Sequence, residues 1–148
     1  MKAEVYGALP AEAAAAWPDQ SALYFKGKDI TFSELDRAID VAARGLMAQG
    51  VEAGDKVALL LTNRPEFVVA FFAALKVGAV VIPLNTRYRE NDLDFVLGFS
   101  ECKVLITVDR SGPVDYLSIV SAALPEVTTG KKGKSFDRFP HLESIVVV

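Results

Sequence analysis

Cysteine and histidine are almost missing from this sequence: each occurs once, as Cys102 and His141. A single cysteine makes no internal disulfide and no four-ligand zinc site. A single histidine leaves one position for the commonest catalytic base, and His141 lies between Pro140 and Leu142 with no nucleophile or orienting carboxylate marked around it. It reads as a structural or surface residue. The scattered carboxylates form no cluster with metal-ligand spacing, so no metal site is expected. Nor is there a surplus of positive charge: 16 Lys and Arg against 19 Asp and Glu give a net charge of −3, which argues against a nucleic-acid partner. Long hydrophobic runs are lacking too. The most apolar stretch, residues 57–84, is interrupted by Asn63-Arg64-Pro65-Glu66 and again by Lys76 and Gly78, whereas a bilayer span needs about 20 mainly apolar residues in succession. No transmembrane segment is expected. The N-terminal residues hold one lysine, an early glutamate and no compact apolar segment, so they do not read as a secretory signal, and a cytoplasmic location is the default expectation.

What is present is core-forming material. The 148 residues are 51% apolar and 24% charged, enough to bury a substantial core and rather apolar for a small soluble domain. Glu12 to Trp17 is alanine-rich and closed by Pro18, which suits one or two helical turns. Ser21 to Phe32 reads as two short strands around a loop at Lys26-Gly27-Lys28-Asp29. Thr31 followed by Glu34 is a capping-box pattern, with Ser33 a rival cap. Leu35, Ala38, Ile39, Ala42, Ala43, Leu46 and Met47 then recur at helical spacing until Gly50. Beyond the Gly54-Asp55 turn, Val57 to Leu61 is a strand apolar on both faces, and Asn63 is placed to cap a helix carrying Pro65 in its first turn and ending at Gly78. Val80 to Ile82 reads as a buried strand closed by Pro83. Arg89 to Phe99 reads as a helix, Lys103 to Val108 as a strand, Pro113 to Leu124 as a crossover helix and Ser144 to Val148 as a final strand.

Continuously apolar strands alternating with helices imply an α/β fold, three-layered, with a largely parallel sheet and βαβ crossovers. Residues 128–139, with Lys131, Lys132, Lys134 and Arg138 against Asp137, read as an exposed basic loop. Within it, Thr129 to Lys134 superficially resembles a phosphate loop but lacks the buried strand that should precede one. Parallel α/β sheets bind ligands beyond the carboxyl ends of their strands. That rule singles out Asn63, Asn85, Thr86 and Arg87. Asn and Thr at such places cap helices or hold loops. A guanidinium at a strand exit meets phosphate bidentately, although an ion pair or simple exposure is its ordinary role. Cys102, just ahead of an apolar strand, reads as a small buried filler. The residues alone therefore give an α/β domain without a catalytic centre.

Residues 31–107 carry a larger pattern: T-F-S-E-L at a helix start, G-D-K-V-A-L-L-L, N-R-P-E-F, G-A-V-V-I-P-L-N, then E-N-D-L-D-F-V-L before C-K-V-L-I-T. In this order and spacing they resemble the N-terminal region of AMP-forming acyl-CoA synthetases of the adenylate-forming superfamily. The looser likeness runs from about residue 8 to the end. The resemblance implies a large N-terminal domain of which residues 1–148 form a single partial domain. It also implies a parent enzyme that activates a carboxylic acid, a fatty acid or similar, with ATP to acyl-AMP and then transfers the acyl group to CoA, assisted by magnesium. The resemblance further implies a role for Arg87, since in some relatives a matching arginine lies near the CoA nucleotide phosphate. The serine/threonine/glycine-rich phosphate loop ending in P-K-G, the adenine and ribose motifs and the C-terminal catalytic lysine do not occur among these 148 residues. By themselves they are therefore expected to be inactive, to bind nucleotides negligibly, to contribute no catalytic residue, and to self-associate through apolar surface that a larger protein would cover. The alternative expectation is a free-standing, non-catalytic binding or interaction module derived from the same fold.

Overall fold

The computed structural model describes residues 5–124 and 138–148. They fall into two compact units, Met1–Gly54 with Asn63–Val80, and Asp55–Thr62 with Val81–Val148. Most of the basic stretch, residues 128–137, lies outside the described residues; of its remainder, Arg138 is exposed and Phe139 is buried.

In the first unit a 3-10 turn, Tyr6–Ala8, leads into helix α1, Leu9–Ala16, with a proline in its first turn. Strands β1, Ser21–Phe25, and β2, Lys28–Thr31, pair antiparallel. Their turn is tighter than the sequence suggests. Lys26 and Gly27 alone make it, both with positive φ (49° and 82°), the mirror-image turn whose twist matches the strands it joins. Lys28 and Asp29 belong to β2. Helix α2, Phe32–Ala48, starts with the expected capping box: the Thr31 hydroxyl accepts from the Glu34 amide, and the Glu34 carboxylate accepts from the Thr31 amide. Those bonds hold the Glu34 carboxyl below its usual 4.5. Leu35, Ile39, Ala43 and Leu46 are buried, but Ala38 and Met47 are exposed, Met47 at 62%. The buried stripe is narrower than the apolar pattern, as a helix needs only part of its apolar face covered to be held.

Helix α3, Pro65–Val77, is capped differently from expectation. Arg64 occupies the N-cap with extended backbone and no capping side chain, while Asn63 stands one residue outside. Pro65 at N1 dispenses with one of the amides a cap would serve. Gly78 ends the helix in the left-handed region, φ 84°. The two helices are tied by Lys76, which pairs with Asp36 at 3.3 Å and with Asp40. Burial pulls the Lys76 pKa down, but the two carboxylates outweigh it and the ammonium is held above its usual range. Gly7 seats the 3-10 turn against the end of α3. A Cβ there would fall 2.6 Å from the Leu75 carbonyl oxygen and 2.9 Å from the Lys76 Cα.

In the sheet the order is β4-β3-β5-β8, with β3 Lys56–Leu60, β4 Val80–Pro83, β5 Val104–Thr107 and β8 Ser144–Val147. The β3–β5 and β5–β8 pairs are parallel. The expected α/β fold with a parallel sheet is present. Val57 to Leu60 and Val104 to Leu105 are fully buried, which explains their uninterrupted apolar sequence. β4 departs from expectation. It is an edge strand, with Val80 50% exposed and Pro83 exposed; proline lacks a ladder donor and is tolerated on an edge.

Helix α4, Glu90–Ser100, follows the Arg89 amide, which donates to Asp92 Oδ2 at 2.9 Å. The region read as a helix from Pro113 is instead a two-residue-per-strand hairpin followed by a shorter helix. Strands β6, Arg110–Ser111, and β7, Val114–Asp115, flank Gly112-Pro113, and helix α5 runs Tyr116–Ala123. Gly112 has φ 57°. The Asp115 carboxylate accepts from the Ser118 amide at 2.9 Å and so fixes the helix start. Lys56–Glu101 and Lys103–Asp55, each 2.8 Å, link the segments around the start of β3.

Candidate functional site at the strand exits

The residues after β4 form a self-bracing loop. Leu84 is buried and its amide donates to the Leu59 carbonyl at 2.9 Å. Asn85 then folds the chain back: its Oδ1 accepts from the Arg87 amide and its carbonyl from the Tyr88 amide, both 3.0 Å. This is the side-chain turn that asparagine makes two residues ahead of itself. The Arg89 guanidinium donates to the carbonyls of Arg87 (3.3 Å) and Tyr88 (3.1 Å). From α5, the Tyr116 hydroxyl donates to the Thr86 carbonyl at 3.2 Å. Tyr116 itself is only 3% exposed. Arg87 is left with its backbone fixed and its side chain exposed. Among the described residues, no carboxylate pairs with its guanidinium.

The neighbouring exits are polar. Thr107, fully buried at the end of β5, donates toward the carbonyls of Leu60 and Val108 at 3.3 Å. The Thr62 and Ser111 hydroxyls lie 3.1 Å apart. Arg110 pairs with Asp115 at 2.9 Å, and the bonds from Ser118 and then that guanidinium hold the Asp115 carboxyl below its usual range. Thus the structure brings Asn85, Thr86 and Arg87 together in the second unit. Asn63 belongs to the first. There it borders, with Arg64, a shallow apolar groove of about 260 Å³ walled by Leu23, Phe25, Phe67 and Val68. Arg64 and Glu66 pair at 2.8 Å, and the bond from Arg64 lowers the Glu66 carboxyl pKa.

Tyr116 is the functional residue that the sequence pattern does not single out, because a helix starting at Pro113 would place it mid-helix rather than in the first turn. The spacing Asp115-x-x-Ser118 is the signal that places Tyr116 in the first turn. His141 is exposed, as expected of a surface residue. Cys102 is buried, 1% exposed, and burial raises its thiol pKa despite a compensating contact from Ser100. It is a packed filler whose thiolate form burial disfavours. Among the described residues no group of three or more His, Cys, Asp or Glu is placed to hold a metal, and no helix is long and apolar enough to cross a membrane.

A guanidinium at a strand exit suits an anion. The family described as AMP-binding enzyme matches residues 10–144. This chain belongs to that family. Feruloyl-CoA synthase of Amycolatopsis is 34% identical over 143 residues, covering 96% of this chain and 29% of that protein. The long-chain-fatty-acid–CoA ligase of Bacillus subtilis is 36% identical over 118 residues, covering 76% and 21%. Among solved structures, the N-terminal domain of FACL13 from Mycobacterium tuberculosis superimposes with a TM-score of 0.75 at 25% identity, covering 99% of this chain and 34% of that one. The chain spans 14–29% of the length of the curated relatives it matches. Membership in the adenylate-forming family thus rests on nearly the whole chain, as the motif order anticipated.

Proposed function

We propose that this chain is the N-terminal part of an AMP-forming carboxylate–CoA ligase, acting on a fatty acid or similar carboxylic acid in the cytoplasm. The observation that carries this reading is the family match over residues 10–144. It is supported by relatives whose names specify CoA thioester formation from quite different acids. A carboxylate is a poor electrophile. In the proposed reaction its oxygen attacks the α-phosphorus of ATP, pyrophosphate leaves, and the CoA thiol then displaces AMP from the acyl carbonyl. Within this scheme Arg87 is the residue we assign to the CoA nucleotide phosphate. Its side chain is exposed and its backbone is already fixed, so little ordering is required on contact. Among the described residues the carboxylates do not converge to receive magnesium.

The 148 residues alone supply no catalytic group to this scheme and are proposed not to make acyl-CoA. The test is direct. Purified chain is incubated with ATP, CoA, magnesium and a panel of aliphatic and aromatic acids, and pyrophosphate release and thioester are measured. No thioester above the protein-free control is expected. ATP-dependent thioester formation by the chain itself would overturn its inactivity. The parent reading is tested separately by a product in which the reading frame continues through a serine/threonine/glycine-rich loop ending in P-K-G. That product should form thioester, and failure with every acid would overturn the reading.

A further inference from the structure

The loop that carries Arg87 is held by three side chains that hydrogen-bond its backbone. Asn85 accepts the Arg87 amide at 3.0 Å, Arg89 donates to the carbonyls of Arg87 and Tyr88, and Tyr116 donates to the carbonyl of Thr86 at 3.2 Å. The last contact comes from a residue 30 positions away. Its ring is buried, and its helix start is fixed by Asp115, which also pairs with Arg110. The spending of Arg89 is informative. A surface arginine gains more from a carboxylate or phosphate than from neutral carbonyls, yet Arg89 is turned back onto its own loop while Arg87, two residues earlier, remains open.

We propose that Tyr116, Arg89 and Asn85 are positioning residues that hold Arg87 in a conformation ready for a nucleotide phosphate. This rests on the assignment of Arg87 to the CoA nucleotide phosphate. Fixing the backbone before binding removes an ordering cost that would otherwise be subtracted from a contact made by one side chain. Tyr116 has the further effect of coupling the loop to the hairpin β6–β7 and the first turn of α5, so that disturbance there is felt at Arg87.

The test uses the isotopically labelled longer chain whose reading frame continues through the P-K-G loop, with adenosine 3′,5′-bisphosphate at millimolar concentration as probe, adenosine as uncharged control and inorganic phosphate as the free-anion control. The Arg87 Nε–H resonance is followed in the chain and in Arg87→Ala, Tyr116→Phe and Arg89→Lys. Tyr116→Phe keeps the ring and removes the donor. Arg89→Lys keeps the charge and removes the fork on an exposed side chain, so at least one variant retains the fold. Amide exchange at Arg87 and Tyr88 should quicken in both variants, with β3 and β5 amides unchanged. Preference for the bisphosphate over adenosine should fall roughly 2- to 10-fold, the loss of one net hydrogen bond. Undiminished preference in both variants would overturn the positioning role and leave the Arg87 assignment standing. Absence of any Arg87-dependent response to the bisphosphate, or an equal response to inorganic phosphate, would overturn the assignment and the proposal with it.

Discussion

Cys102 and Arg87 show how differently two singular residues are treated by their surroundings. Cys102 is sealed, and burial raises its pKa, so the nucleophilic thiolate is disfavoured in the folded chain. Alkylation at neutral pH is expected to be slow in the native chain and to become fast only in denaturant, which mass spectrometry of iodoacetamide-treated samples measures. Rapid native labelling would show that the segment opens readily. Arg87 lies at the other extreme, with a fixed backbone and an exposed head. Its candidacy was legible from strand-exit logic, because loop residues after parallel strands face the ligand side of the sheet. The partners that hold it were not. Arg89 and Tyr116 act on backbone carbonyls, and a backbone acceptor leaves no mark in the sequence of the segment that offers it.

The start of α2 was legible in the sequence, and it gives a sharp expectation. Thr31→Ala removes the acceptor for the Glu34 amide and should destabilise the chain by about 1 kcal/mol in denaturant melts. Glu34→Gln should be milder than Thr31→Ala, since an amide oxygen still accepts from the Thr31 backbone. The pH dependence has a definite sign. The folded Glu34 carboxyl lies below its ordinary 4.5, held there by bonds from the Thr31 backbone and then its hydroxyl. Its contribution is therefore complete above pH 4.5 and is lost as pH falls through the lower, folded value. Thermal melts of the chain and of Glu34→Gln should converge as the solution is acidified through that window.

Other element boundaries differed from expectation. The helix expected from Pro113 gave way to β6–β7 because Gly112-Pro113 is better spent on a turn and Asp115 is a better cap. Gly7 shows the same limit at the level of packing. Its sequence neighbours do not reveal that the end of α3 presses against it. Gly7→Ala should cost roughly 1–3 kcal/mol, as overpacking does, and an unchanged denaturation midpoint would show that the 3-10 turn simply moves away.

For the whole molecule, the high apolar content of the sequence shows as particular exposed side chains. Phe95 and Phe99 stack on α4 with ring centroids 6.3 Å apart, yet are 73% and 83% exposed. Val80 and Val147, on the two edge strands of the sheet, are about half exposed. Apolar surface of this kind favours association. The chain is expected to show a rising mass with concentration in light scattering, and Phe95→Ser with Phe99→Ser should reduce that rise. A monodisperse monomer at high concentration would refute self-association.

The sequence by itself determined the parallel α/β frame, because strands buried on both faces must be continuously apolar and amphipathic helices must repeat near every third or fourth residue. It also determined family membership, through the order of motifs that no single element carries. Only the tertiary structure decided that β4 is an edge, that Asn63 stands outside its helix, and that Tyr116 grips the Arg87 loop. Each of these depends on which backbone groups and faces a distant segment covers. That information is created when the chain closes on itself, and local pattern does not contain it.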